Sequence, residues 1–269
     1  MGNIALQCGG FLRCTYRNCT NLNEASHEVE AALFEFLERH GDAAFPHAPD
    51  TAEDLLRLFR MGRAGRSIAV EDVHRLVPVD PGFAFNLARI LFASGLPLSG
   101  GGAAVDLRRR LEDFNVLRAV TLLAPIDRQS DCFAGVPKVG AAYRRISRTG
   151  SFAAQEVARS SDVPSQMQDT AMLMALRTTL GFLGIAVAAG DAAAPVLKGG
   201  AMADAVCEQI FGFGLSQFAA ALNERYGLPE ASNPLYPPSV REAVGKACAA
   251  ASEATTRSTR RSPGVSATT

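Results

Sequence analysis

Asp80-Pro81-Gly82-Phe83-Ala84-Phe85-Asn86-Leu87-Ala88-Arg89-Ile90-Leu91-Phe92 is the stretch on which the fold turns. Aspartate followed by proline is a matched helix start. The carboxylate accepts from free backbone N–H groups, and proline's fixed φ suits the first helical position, where no donor is needed. Beyond that start Phe83, Phe85, Leu87, Ala88, Ile90, Leu91 and Phe92 make the segment apolar nearly all round. Such a helix belongs at the centre of a core with other helices around it, and the reading predicts an all-α protein.

The segments on either side keep helical spacing. Upstream, Val29, Leu33, Phe36 and Leu37 recur on one face of a helix starting near Asn23 or Ser26, with Glu28, Glu30, Glu35, Glu38 and Arg39 mostly on the other. Gly41 and Asp42 stop it. Pro46 and Pro49 mark a turn, and Asp50 or Thr51 can cap the next helix, whose stripe is Leu55, Leu56, Leu58 and Phe59. The loop Met61 to Arg66 and a short helix from Val70 to Leu76 lead to Pro78. Downstream, Leu96 to Gly102 (LPLSGGG) reads as a flexible connector. Helical patterns then cover Val105 to Leu111 and Val116 to Leu123, separated near Phe114-Asn115. They continue at Val139 to Ser147, Phe152 to Ser160, Gln166 to Ala188, Ala201 to Phe211, Leu215 to Tyr226 and Val240 to Ser252. No strand pattern or internal repeat is visible. The predicted organisation is a flexible segment 1–23, a helical domain 24–252 formed of two intimately packed subdomains, and a disordered Ser/Thr/Arg-rich tail 253–269.

Composition narrows the function classes. The chain has 269 residues with 27 basic and 27 acidic side chains, a balance that argues against broad attraction to nucleic acid or anionic lipid. Cys8, Cys14, Cys19, Cys132, Cys207 and Cys248 form no CxxC pair, and no signal peptide is evident, so a reducing cytoplasm is expected. The run Gly181 to Gly190 is strongly apolar but is flanked by Arg177 and Asp191, which fits a buried helix better than a membrane span.

Four segments in this order resemble the HDOD family, the HD-related output domain of bacterial signalling proteins. Phe45-Pro46-His47-Ala48-Pro49 before a Leu-rich helix resembles the family's "LPxLP" entrance. Val70 to Pro81 resembles its "xxLAxxIxxDP" signature, and Asn86 to Ser94 is similar to "LLRLANSA". Val105 to Leu123 resembles the following pair of helices. Ala175-Leu176-Arg177-Thr178-Thr179-Leu180-Gly181 reads like the "GLLHD(I/L)G" helix of the HD superfamily with its His-Asp pair replaced, and Phe213 to Pro229 looks like the segment that follows. The resemblance spans Phe45 to Pro238. It implies an HD-superfamily-like multi-helix bundle that is regulatory rather than catalytic and acts through a signalling protein partner. Departures from the family are informative: Leu215-Ser216-Gln217 stands for its "dH", Tyr226 for its Trp, and no histidine follows His74.

In metal-dependent HD hydrolases the missing pair binds the metal, and threonine hydroxyls are poor substitutes for imidazole and carboxylate. No catalytic residue, metal or cofactor is therefore expected. Thr178 and Thr179, helped by Arg177, could instead hydrogen-bond the phosphate of a nucleotide or cyclic dinucleotide; the plain alternative is that they bond back to their own helix carbonyls. Arg60, Arg63 and Arg66 could clasp a phosphate from their Gly-bearing loop, or simply coat a solvated face. The same choice applies to Arg108 to Arg110 and to Arg144, Arg145 and Arg148. Asp169 is read as a first-turn charge favouring the helix dipole. Cys8, Cys14, Cys19 and His27 have no recognised zinc spacing, and Gly100 to Gly102 lack the Lys-Ser/Thr of a P-loop.

Overall fold

The computed structural model describes residues 22–96, 98, 104–230 and 232–260, with side chains from 28 to 254. The helices are α1 (Leu22–His40), α2 (Pro49–Arg63), α3 (Val70–His74), α4 (Pro81–Ala93), α5 (Leu107–Phe114), α6 (Val116–Leu123) and α7 (Gln129–Cys132). They continue with α8 (Pro137–Arg159), α9 (Gln168–Arg177), α10 (Leu180–Ala189), α11 (Ala194–Lys198), α12 (Ala203–Phe211), α13 (Leu215–Tyr226) and α14 (Pro238–Arg260). Three short 3-10 segments join some of them, and one isolated bridge pairs His47 with Arg128. The protein is all-α.

Asp80 caps α4 as its sequence demands, with extended backbone and its carboxylate accepting from Gly82 N at 2.9 Å. Phe83, Phe85, Leu87, Ala88 and Leu91 are all buried, and α4 packs against α6, α8, α9 and α13. Around it α2 lies on α6, α3 on α5, and α10 on both α8 and α13. The outer helix α1 is fastened by Phe36, whose ring meets those of Phe211, Phe213 and Phe218.

The main apolar core draws on residues from Leu37 to Leu228. A smaller cluster lies between α8, α9 and α14, built from residues such as Val157, Met174, Tyr236, Val240 and Val244.

Four sequence expectations are revised. Val139 to Ser147 and Phe152 to Ser160 belong to one helix, because Gly150 lets α8 pass against Thr179 and Pro81, and Ser151 donates to Val79 O at 2.6 Å. Conversely, Gln166 to Ala188 is broken at Thr178-Thr179 into α9 and α10. The tail expected to be disordered from 253 is helical to Arg260, since Val240, Val244, Ala247 and Ala251 continue one buried stripe that holds α14 down. The apolar run expected to end near Gly190 extends as helical backbone from Leu180 to Lys198, with mean hydropathy 1.8. That is long and apolar enough to cross a membrane, yet half of it is buried inside the protein, as for a core helix. The cysteine segment Cys8 to Cys19, the side chain of His27 and the glycines Gly100 to Gly102 lie outside the described residues.

Candidate functional site

The threonines at the resembled metal position stand at a helix break. Their amides make tightened bonds three residues back, Thr178 N to Ala175 O at 3.3 Å and Thr179 N to Leu176 O at 3.0 Å. Their hydroxyls take the same carbonyls, Thr178 Oγ1 donating to Ala175 O at 2.7 Å and Thr179 Oγ1 to Leu176 O at 2.8 Å. A hydroxyl that engages its own helix backbone competes with the regular ladder, which explains the interruption here. Thr179 is buried, and its side chain lies about where a Cβ on Gly150 would meet it, 3.0 Å away. Thr178 faces α14, with Cys248 Sγ 4.0 Å from its hydroxyl. Arg177 turns to Glu230 at 2.5 Å, and Asn223 Nδ2 donates to the same carboxylate oxygen at 3.3 Å.

The structure therefore joins Arg177, Thr178 and Thr179 at one break but engages each within the fold. Arg60, Arg63 and Arg66 belong elsewhere, at the end of α2 and in the loop after it. Arg60 lines an open hollow of about 580 Å³ with Glu53, Asp54, Leu56, Arg57 and Arg128. Arg57 is held to Asp54 at 2.7 Å and Arg128 to Glu53 at 3.8 Å. Arg63 lies over the Phe59 ring, 6.0 Å from its centroid, and Arg66 is exposed.

Two non-local polar groups were not foreseen from sequence. In the first, Asp80 is fully buried; beyond its cap bond it accepts from Ala48 N at 2.7 Å, and His47 Nδ1 lies 3.9 Å from it. His47 Nε2 lies 3.2 Å from Leu123 O, while Nδ1 has no hydrogen-bond partner among the described residues. Tyr143 donates to Pro46 O at 3.4 Å. Asn86 grips Phe45 by both groups, accepting from its N at 3.0 Å and donating to its O at 2.7 Å. The cluster thus ties the Phe45 to Pro49 turn to α4, α6 and α8. In the second group, His74 Nε2 lies 2.8 Å from Asp169 Oδ1, and the other Asp169 oxygen accepts from Leu107 N at 2.9 Å. Thr170 Oγ1 accepts from Val105 N at 2.8 Å beside it. Asp169 is more than a first-turn charge: it joins α3, α5 and α9. The Asp-Pro signal was visible in sequence, whereas the approach of His47 and of His74 to their carboxylates depends on contacts distant along the chain.

Burial pushes the His47 imidazole below its usual range, with the Asp80 charge and the Leu123 carbonyl acting the other way. Burial raises Asp80, opposed by His47 and by the backbone donors. Burial also holds the Tyr143 phenol well above 10. An imidazole kept neutral in the fold takes up a proton more readily once unfolded, so its contribution to stability is full above its unfolded value and lost as pH falls below it. Asp80 has the opposite sign, its ionised form being the costly one when folded, and acts in a window beginning at the ordinary carboxylate value. Denaturation by urea should therefore need less denaturant as pH drops from about 7 to about 5.5. His47→Asn should flatten that slope, leaving the share of partly buried His40, which burial and Arg39 also lower. An unchanged slope would remove His47 from the account.

Among the described residues no group of three or more His, Cys, Asp or Glu side chains is placed to share a metal ion. Comparison with protein-family models, curated proteins and solved structures gave no match.

Proposed function

We propose that this chain is a non-catalytic regulatory module of the HDOD type, working in the cytoplasm of a bacterium by contact with a signalling protein partner. The observation that carries this reading is the commitment of Thr178 and Thr179, which stand where the HD superfamily places its metal-binding pair, to the carbonyls of Ala175 and Leu176. A helix break stabilised in this way serves shape, and a module of this kind acts by presenting preformed helix faces whose arrangement a partner can select. The ordered resemblance of Phe45 to Pro238 supports the same assignment.

The test is metal-dependent phosphohydrolase activity together with thermal stability in manganese or magnesium, for the natural chain and for Thr178→His/Thr179→Asp. The natural chain is expected to release no phosphate and show no saturable metal shift, because a metal that binds only the folded state would raise its stability. The double variant restores only two ligands where a hydrolytic site uses about three, so it too should show no saturable metal shift. Metal-dependent turnover by the natural chain would overturn the reading.

A second reading, a sensor of nucleotides or cyclic dinucleotides, is favoured at one place by Arg57, Arg60 and Arg128 around the open hollow. Guanidinium groups suit phosphate oxygens geometrically. A cyclic dinucleotide that stabilises the chain, with the effect lost in Arg60→Ala and retained in Arg177→Ala, would assign the ligand to that hollow instead of the Thr178-Thr179 break.

A further inference from the structure

Two exposed helix faces carry opposite charge in the same spacing. On α8 the turns from Pro137 to Thr149 hold Lys138, Arg144, Arg145 and Arg148 and no carboxylate. Among the described residues none of these four cations is in an ion pair, whereas Arg159 at the far end of the helix is paired with Glu156. At 3.6 residues per turn, Lys138, Arg145, Arg148 and Phe152 fall within one outward sector of about 80°. Phe152 is 42% exposed there. On α1 the outward face carries Glu28, Glu35 and Glu38 around Phe34, which is 61% exposed. Glu35 is also bridged to Arg39 of its own helix. The intervals agree: seven residues and then three separate Glu28, Glu35 and Glu38, and the same intervals separate Lys138, Arg145 and Arg148.

We infer that the outer face of α1 docks on the cationic face of α8 in a second copy of this chain. Within one chain α1 is fastened to α12 and α13 through Phe36, while α8 is packed against α9, α10 and α14, so among the described residues both outward faces are turned away from the core. A parallel register that sets Glu28 by Lys138 also sets Glu35 by Arg145 and Glu38 by Arg148. The two surfaces differ, so the contact is heterologous and propagates head to tail unless it closes into a ring. One helix face against another buries less than the ~1,200 Å² of a stable interface, so association is weak and depends on concentration. Its attraction is between exposed charges and is therefore sensitive to salt. An acidic peptide or an anionic membrane could be drawn to α8, but neither accounts for the matched spacing on α1. The inference goes beyond the regulatory reading and does not rest on it.

Sedimentation equilibrium of the full chain decides the matter. The expected result is a mass that climbs above 28.4 kDa with rising protein concentration in dilute buffer. It should return to the monomer value as salt is raised from about 20 mM to about 300 mM, where screening shortens the range of these charges several-fold. Arg145→Glu/Arg148→Glu alone and Glu28→Arg/Glu38→Arg alone should each remain monomeric in dilute buffer. An equimolar mixture of the two should associate again, because the first variant keeps the natural acidic face of α1 and the second the natural cationic face of α8. A natural chain that stays monomeric at every concentration in dilute buffer overturns the proposal, as do variants that associate like the natural chain or a mixture that fails to. Sedimentation of a monomeric natural chain with phosphatidylserine vesicles would replace the second copy with a membrane as occupant. The natural chain's salt titration stands even if a variant fails to fold.

Discussion

Asp80→Ala is expected to lower the unfolding free energy by about 3 kcal/mol, the largest single polar effect in the fold. The side chain does two jobs in a fully buried place. It caps α4 through Gly82 N, a role whose loss alone costs about 1 kcal/mol. It also accepts from Ala48 N at 2.7 Å, and a buried donor stripped of its partner costs about 1–3 kcal/mol more. Asp80→Asn keeps acceptor geometry on one oxygen and should recover part of the loss. Urea denaturation of both variants at neutral pH reads this directly, and a loss below about 1 kcal/mol for alanine would mean that neither bond contributes beyond an ordinary cap.

Gly181→Leu is expected to destabilise by a similar amount, about 3 kcal/mol, for a steric reason. A Cβ built on Gly181 would lie 2.9 Å from Ala219 Cβ and 3.3 Å from Leu215 O, and one on Gly184 would lie 2.6 Å from Leu222 Cδ1. These two glycines let α10 lie close against α13. Near Gly184 a methyl meets the flexible end of Leu222, which can turn aside, but the backbone carbonyl facing Gly181 belongs to the start of α13 and cannot yield without moving that helix. Overpacking a close-packed interior forces such shifts at a cost of a few kcal/mol. Gly181→Ala should cost about 1–2 kcal/mol on the same scale. Thermal unfolding of both variants gives the ranking, and equal midpoints for Gly181→Leu and the natural chain would show that the two helices can separate freely.

Several elements were legible because their signals are local. The Asp80-Pro81 start, the end of the helical pattern at Tyr226 and the break at Phe114-Asn115 each depend on backbone preferences of a few neighbouring residues. Asn115 adopts φ 79°, a conformation that asparagine tolerates better than most residues, and its side chain caps α6 by accepting from Arg118 N at 3.2 Å. Thr149-Gly150-Ser151 reads as a weak helix former, which hides the continuity of α8 in the sequence. Packing against Thr179 and Pro81 overrides that propensity. The Ser and Thr residues near the end of α14 read as a tail, while Ala251 has a buried place that holds the helix down.

For the candidate site, the sequence indicated both that Thr178 and Thr179 occupy an informative position and what their alternatives were. Which alternative holds depends on geometry: each hydroxyl lies within reach of a carbonyl three residues back, and Arg177 finds Glu230 across the fold. By itself the sequence determined the all-helical class and most helix starts and stops, since caps, breakers and apolar periodicity act within a turn or two of the chain. Only the tertiary structure decided that His47 meets Asp80, that His74 meets Asp169, and that α10 lies against α13 at glycine. Those contacts join residues far apart along the chain, and their energies arise from burial and close packing once the helices have met.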